Sequence, residues 1–142
     1  MNEKVKHRPI WRPFAPLILE EDISDWFVKP IESPYMSHRC QFKESMKDKV
    51  SSVVHNDGTG RLQTVNSKQN PWLHGFLNGW KEYSGVPILI NTSFNDKEPI
   101  VETPYHAVAC FQRTNIDILY FPEYKLIAYK DKDTEKREEG KI

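Results

Sequence analysis

Apolar positions along the chain switch between a period near two and a period near 3.6, and the switches outline its elements. Residues 14–19 are a short apolar run, which predicts a buried strand. Asp22 is placed to cap a short helix carrying Ile23, Trp26 and Phe27 on one face. Residues 35–42 set Met36, His38, Cys40 and Phe42 against Tyr35, Ser37, Arg39 and Gln41, the alternation of a half-buried strand. Residues 50–55 and 61–65 are two more strand candidates around a turn at Asn56-Asp57-Gly58-Thr59-Gly60. Asn70-Pro71 then opens the strongest helix, with a capping side chain followed by proline at the first helical position. Leu73, Phe76, Leu77 and Trp80 recur at helical spacing, and Gly85 sits where a left-handed terminal residue is wanted. On that spacing Trp72, Phe76 and Trp80 read as core. Residues 86–90 are apolar throughout, which predicts a strand at the centre of a sheet. Thr103-Pro104 repeats the cap-plus-proline signature and starts a helix through Ala107, Val108 and Phe111, with Cys110 as a packing residue. Residues 116–121 and 124–129 close the pattern as two strands compatible with a hairpin. The sum is six or seven strands and two or three helices, an α/β or α+β sandwich.

Composition narrows the picture. A chain of 142 residues suits one domain, here taken as residues 1–129, with a core of its own. Twenty basic residues balance twenty acidic ones, which argues against a DNA-wrapping or polybasic membrane protein and leaves room for a local anion site. Cys40 and Cys110 form no CxxC pair, so a zinc ribbon or thioredoxin-like motif is excluded. The first residues lack an apolar signal-type stretch, and no run spans a membrane. A cytoplasmic protein with free thiols is expected. Residues 130–142 hold five basic and five acidic side chains with Ile142 as their one apolar residue, so a frayed or disordered tail is expected there.

Three clusters are candidates for chemistry. Lys6, Arg8 and Arg12 precede Pro13-Phe14-Ala15-Pro16, where two prolines stiffen the backbone presenting Arg12. They suit an anion clamp, since arginine offers a fork for phosphate oxygens and lysine a point charge; short basic segments are also commonly just solvated. His55 and Asp57 lie beside Gly58, Gly60 and Arg61. A third metal ligand is not evident, and the spacing is not that of a P-loop, so an ordinary turn with an exposed arginine is an equal alternative. Asn91-Thr92-Ser93-Phe94-Asn95 follows the apolar strand at 86–90, the end of a strand where open α/β sheets bind ligands. His7, His38, His74 and His106 have no ligand spacing.

Taken in order, Lys6-x-Arg8-x-x-x-Arg12-Pro13-Phe14-Ala15-Pro16, His55-x-Asp57-Gly58-Thr59-x-Arg61-x-Gln63-Thr64 and Asn91-Thr92-Ser93-Phe94-Asn95 with Glu98-Pro99-Ile100-Val101 resemble one family. It is the C-terminal domain of the NodU/CmcH/TobZ-type O-carbamoyltransferases, and the resemblance runs to about Tyr129. That domain is similar to YrdC-like domains, which form acyl adenylates and are built on a twisted mixed sheet. The resemblance implies ATP, with Mg²⁺, and carbamoyl phosphate as substrates, and carbamoyl adenylate as product. Carbamate released from carbamoyl phosphate would attack the α-phosphate and expel pyrophosphate. Lys6, Arg8, Arg12, Arg61, Thr92, Ser93 and Asn95 would bind the two anions, and His55 or Asp57 would handle protons or orient the carbamoyl group. Lys6, Arg12, Arg61 and Ser93 are then expected to line one electropositive pocket.

In the family the carbamoyl group passes to a hydroxyl acceptor in a separate domain of actin-like fold. Nothing here corresponds to that domain, so a fragment, a split subunit or a remnant is expected, with the larger domain or subunit as partner. Two local departures accompany the match. Asp96-Lys97 runs into Glu98 where the family carries a glycine, and His106 replaces an acidic residue three positions after Thr103. The alternatives are a nucleotide-binding or docking module without turnover, and a threonylcarbamoyl-adenylate synthase-like protein.

Overall fold

The computed structural model describes residues 1–130, so of the charged tail only Lys130 falls within the described residues. The architecture is mixed α+β, with seven strands over three small sheets among the described residues. The described residues divide into two compact units, Trp11–Thr92 and a second made of Met1–Ile10 with residues 93–130.

In the first unit β1 (Ala15–Leu19) lies between β4 (Gln63–Val65) and β5 (Ile88–Asn91), parallel to β4 and antiparallel to β5. All five residues of β1 are buried, as a strand covered on both faces requires. Pro16 is tolerated there because β4 pairs only with Leu17–Leu19, which leaves β5 as the single neighbour at Pro16. The central strand is therefore β1 and not residues 86–90. β5 is an edge strand whose Ile90 is 41% exposed.

Alternate positions of β1 feed two cores. Leu17 and Leu19 pack with Val65 and Leu77. Ile18 packs with Phe14, Trp26, Phe27, Cys40, Phe42, Val53, Leu62 and Ile88. Leu77 belongs to α2 (Pro71–Ser84), which begins with Asn70 Oδ1 accepting from Leu73 N at 3.0 Å and ends at Gly85 with φ of 73°. The helix is as the spacing predicts, but its aromatics are not all core. Trp72 is 44% and Phe76 51% exposed, because a three-stranded sheet is too narrow to cover more than the Leu73–Leu77 side of the helix. Trp80 is half-buried and donates from its indole N–H to Ile88 O at 3.2 Å.

Three further expectations in this unit are not met. α1 (Ile23–Trp26) exists, yet Asp22 makes no capping bond and its carboxylate accepts from Lys81 Nζ at 2.7 Å. Residues 35–42 are strand only at β2 (Cys40–Gln41), which pairs with β3 (Thr59–Gly60). Ahead of it the chain turns on the buried Ser33, whose carbonyl accepts from Met36 N and whose Oγ accepts from His38 N, and Met36 takes φ of 58°. Residues 50–55 are not a strand. They fall mostly in a 3₁₀ stretch, Glu44–Val53, broken at Val50.

In the second unit α3 (Pro104–Arg113) starts as expected, with Thr103 Oγ1 accepting from His106 N at 3.1 Å. Ala107 and Phe111 pack against Leu119 of the hairpin β6 (Ile118–Phe121) and β7 (Leu126–Tyr129), together with Phe94 and Val101. Lys130 donates to Thr114 O and lies 5.5 Å from the Phe111 ring centroid. No helix among the described residues is long and apolar enough to cross a membrane.

Candidate functional site

The N-terminal residues wind into turns, with Val5 N and Lys6 N both donating to Met1 O and Arg8 N to Asn2 O. That winding carries the Lys6 side chain inward, where it is 8% exposed. Its ammonium donates to Ser93 O at 2.9 Å, to Asn95 Oδ1 at 2.8 Å and to Asn95 O. An ammonium has three hydrogens, so this loop takes them all. Ser93 Oγ donates to Asn95 Oδ1 at 2.7 Å, and Asn95 Nδ2 donates to Glu98 O at 2.8 Å. Lys6, Ser93 and Asn95 therefore meet, across more than 80 positions of sequence, in one closed network. Burial lowers the lysine pKa, as does the neighbouring Arg8, while Asp96 and Glu98 act the other way.

Residues outside the three sequence clusters complete this network. His7, with φ of 43°, places Nδ1 2.9 Å from Asp96 Oδ1. Glu98 sits beside Arg113, whose Nη2 is 2.8 Å from Oε1. Its carboxyl is lowered to about 2, first by a backbone N–H and then by the Cys110 thiol. Burial in turn pushes Cys110 up to about 11, with the Glu98 carboxylate adding to it, so the thiol stays protonated near neutrality. Cys110 is fully buried, as expected of a packing residue, and its thiol also lies beside Glu98. The only trace of this in the sequence is the position of Cys110 and Arg113 on one face of a capped helix, three residues apart.

The Glu98 pairing sets an acid limit. Its folded value of about 2 lies below the ordinary 4.5, so its contribution to stability is complete above pH 4.5 and is lost as pH falls towards 2. Denaturation midpoints across that window are expected to fall more steeply for the unaltered chain than for Glu98→Gln. Equal slopes would remove Glu98 from this role.

Apart from Arg8, the remaining predicted site residues belong to the Trp11–Thr92 unit. Asp57 Oδ1 accepts from Thr59 N at 3.0 Å and Thr59 Oγ1 at 2.6 Å, and Oδ2 faces Arg39 Nη1 at 3.2 Å. His55 N donates to Thr59 O and Gly58 N to His55 O, which closes the turn. Gly58 holds φ of 76° there, a backbone that L side chains rarely adopt. The Thr59 hydroxyl, then its N–H, lowers the Asp57 pKa, so this carboxylate suits orientation and charge and not proton donation near neutrality. His55 is half-buried beside it. Arg61 is exposed, and no ion pair among the described residues engages it. Arg12 is exposed just before β1, and Arg8, in the second unit, donates from Nε to Asn2 Oδ1 at 2.7 Å. Thr92 is half-buried at the end of β5, next to Asn91, whose Nδ2 donates to Gln63 Oε1 at 2.6 Å.

Among the described residues no group of three or more His, Cys, Asp or Glu is arranged to hold a metal. Mg²⁺ brought by a nucleotide is ordinarily held by the phosphates with one or two carboxylates, which does not call for such a group.

Comparison with known proteins gives a consistent result. The family model described as Carbamoyltransferase C-terminus matches residues 1–127. Nodulation protein NolNO of Sinorhizobium fredii is 41% identical over 128 residues, covering 87% of this chain and 19% of that protein. Nodulation protein NolO of Bradyrhizobium diazoefficiens is 40% identical over 121 residues, covering 82% of this chain and 22% of that protein. Nodulation protein U of Rhizobium tropici is 39% identical over 95 residues, covering 67% of this chain and 16% of that protein. The chain thus spans about a fifth of the length of the curated relatives it matches.

Proposed function

The chain belongs to the carbamoyltransferase C-terminal family, and on that premise we propose that it is the part of a carbamoyltransferase that activates the carbamoyl group. The substrates are ATP and carbamoyl phosphate. Carbamoyl phosphate loses its phosphate to water and leaves carbamate. A carbamate oxygen attacks the α-phosphorus of ATP, the bond to the β-phosphate oxygen breaks, and pyrophosphate departs from carbamoyl adenylate. An acceptor hydroxyl bound by the rest of the enzyme then takes the carbamoyl group and releases AMP.

The observation that carries this reading is the network of Lys6, Ser93 and Asn95, which joins the first and third clusters inside one unit. In that network Lys6 shapes the loop and adds its charge, and the Ser93 hydroxyl and Asn95 amide are the groups to meet phosphate or ribose oxygens. Arg8, Arg12 and Arg61 supply the cations that phosphoryl chemistry needs against developing charge. Thr92 adds a hydroxyl. His55 is the candidate for taking a proton from the water that hydrolyses carbamoyl phosphate or for orienting the carbamoyl group, and Asp57 for keeping the loop that carries it.

Pyrophosphate release by the purified chain, given ATP and carbamoyl phosphate, tests the activation step. Ser93→Ala and Arg61→Ala remove anion contacts without core volume, and each is expected to weaken ATP binding roughly tenfold to hundredfold. Unchanged titrations in both would count against the assignment. The full engagement of the Lys6 ammonium by its own loop favours a second reading, a nucleotide-binding or docking module without turnover. ATP binding with no pyrophosphate, even after a carbamoyltransferase body is supplied, selects it.

A further inference from the structure

The β2–β3 ribbon sets two arginines against each other. Cys40 pairs with Gly60 and Gln41 with Thr59, and Phe42 N donates to Gly58 O in the same antiparallel register. Carried one residue further, that register puts Arg39 opposite Arg61. Cys40, Phe42 and Gly60 are buried, so alternation turns Arg39, Gln41, Thr59 and Arg61 to the other, outward face. Directly opposed residues have Cβ atoms about 4.5–5.5 Å apart, and like charges placed there repel. Arg39 gives one of its N–H groups to Asp57 Oδ2, at 3.2 Å, and its guanidinium makes no other hydrogen bond among the described residues. Asp57 thus holds one edge of a five-donor group and leaves the rest of it available. Arg61 is exposed and engaged by no ion pair among the described residues. A third cation stands over the same turn. An ideal Cβ on Gly58 would lie 2.8 Å from Lys47 Nζ and 2.6 Å from Gln41 Nε2. Lys47 pairs with Glu44 at 2.5 Å, so three cations here meet two carboxylates, Asp57 and Glu44.

We propose that Arg39 and Arg61 close on one phosphate group, which makes Arg39 a binding residue although it lies outside the three sequence clusters. The assignment rests on the functional reading above, which brings phosphate to this unit. A dianionic phosphate between the two guanidiniums replaces their repulsion with two sets of charge-assisted hydrogen bonds. Phosphate suits the place better than a carboxylate does. A carboxylate has two oxygens and fills one guanidinium fork, whereas a tetrahedral phosphate offers oxygen pairs to both sides at once. Lys47 adds a point charge at the edge of the same face, where its ammonium overlies the Gly58 turn. Two sources share this chemistry, the polyphosphate of ATP and the phosphate of carbamoyl phosphate.

The test titrates pyrophosphate into the full chain by calorimetry at fixed ionic strength. Arg39→Gln is expected to weaken binding at least tenfold, with an unfolding midpoint close to that of the unaltered chain. Lys68→Gln removes the same charge from another exposed turn of the unit and is expected to stay within twofold. Combining Arg39→Gln with Arg61→Gln is expected to cost less than the product of the two single losses, because either change alone breaks the same clamp. Absence of binding by the unaltered chain overturns the proposal, as does unchanged binding by Arg39→Gln. An equal loss in Lys68→Gln overturns it too, since net charge alone would then explain the effect, and so do single losses that multiply in full. ATP and carbamoyl phosphate are then titrated separately. A loss in Arg39→Gln confined to one of them assigns the clamp to that substrate, and a loss for neither overturns it. Pyrophosphate release from ATP and carbamoyl phosphate is read on the same preparations. Its absence beside Arg39-dependent binding counts against the activation reading alone, and its presence beside binding indifferent to Arg39 overturns the clamp alone.

Discussion

Replacing Lys6 with methionine is expected to abolish pyrophosphate release and to loosen the loop that begins at Ser93. Methionine keeps the length and the apolar stem but removes all three donors. Ser93 O, Asn95 O and Asn95 Oδ1 then lose a charged partner in a part-buried setting. Hydrogen bonds to charged groups are each worth about 1.5–3 kcal/mol, and since this loop is partly reached by water the net loss is expected to be on the order of 3 kcal/mol. Denaturant unfolding measures the stability loss, and limited proteolysis at residues 93–98 reports the loosened loop. Catalytic output is expected to fall at least a hundredfold, because the Ser93 hydroxyl and Asn95 amide lose the anchor that aims them. Lys6→Arg is the informative companion. A guanidinium presents its donors in a planar fork and cannot converge on these acceptors as the ammonium does. A Lys6→Met variant with native proteolysis and native pyrophosphate release would show that the network is incidental.

The second large effect is expected at Phe42. Its side chain is 1% exposed and its ring centroid lies 4.3 Å from that of Phe27, in the cluster that also holds Ile18 and Leu62. Phe42→Ala removes the ring, the aromatic pair and the filling of the space above Gly60, where Phe42 Cε2 stands 2.6 Å from an ideal Cβ position. Substitutions of this kind cost about 3–5 kcal/mol, against a typical total stability of about 5–15 kcal/mol. A marginal or unfolded chain by circular dichroism at 37 °C is the expected outcome. Phe42→Leu retains most of the volume and is expected to recover a large part of the loss. A midpoint for Phe42→Ala within a degree or two of the unaltered chain would mean the cluster is not what holds this unit together.

Much of the local structure was legible because its causes are local. Asn70 with Pro71 and Gly85 brackets α2, and Thr103 with Pro104 starts α3, since capping groups act within one turn of the helix they serve. Asp57 and Thr59 announce their turn because an Asx side chain bonds to backbone two residues away. The strand expected at residues 35–42 failed for a non-local reason. Ser33 N donates to Thr64 Oγ1 and Thr64 N to Ser33 O, so a residue 31 positions away ties down the turn that replaces the strand. The candidate site divides in the same way. Lys6, Ser93 and Asn95 were recognisable as residue types in order, whereas Asp96, Glu98, Cys110 and Arg113 acquire meaning only through who stands next to them.

By itself, then, the sequence determined the family, a mixed class of strands and helices (α/β or α+β), the two capped helices, the Asp57 turn and the residue types of the candidate site. Each of these depends on composition, on spacing within a few residues, or on motif order, all of which survive in a one-dimensional string. Tertiary structure decided that β1 and not residues 86–90 holds the sheet together. The burial of a strand is a property of its two neighbours, and both strands read as equally apolar. It also decided that Lys6 spends its three donors on a loop more than 80 residues away, because hydrogen-bond satisfaction is set by which acceptors folding delivers. And it decided which side of α2 remains open. Helical spacing places Phe76 near the leucines that do pack, but the width of a three-stranded sheet sets how much of a helix can be covered.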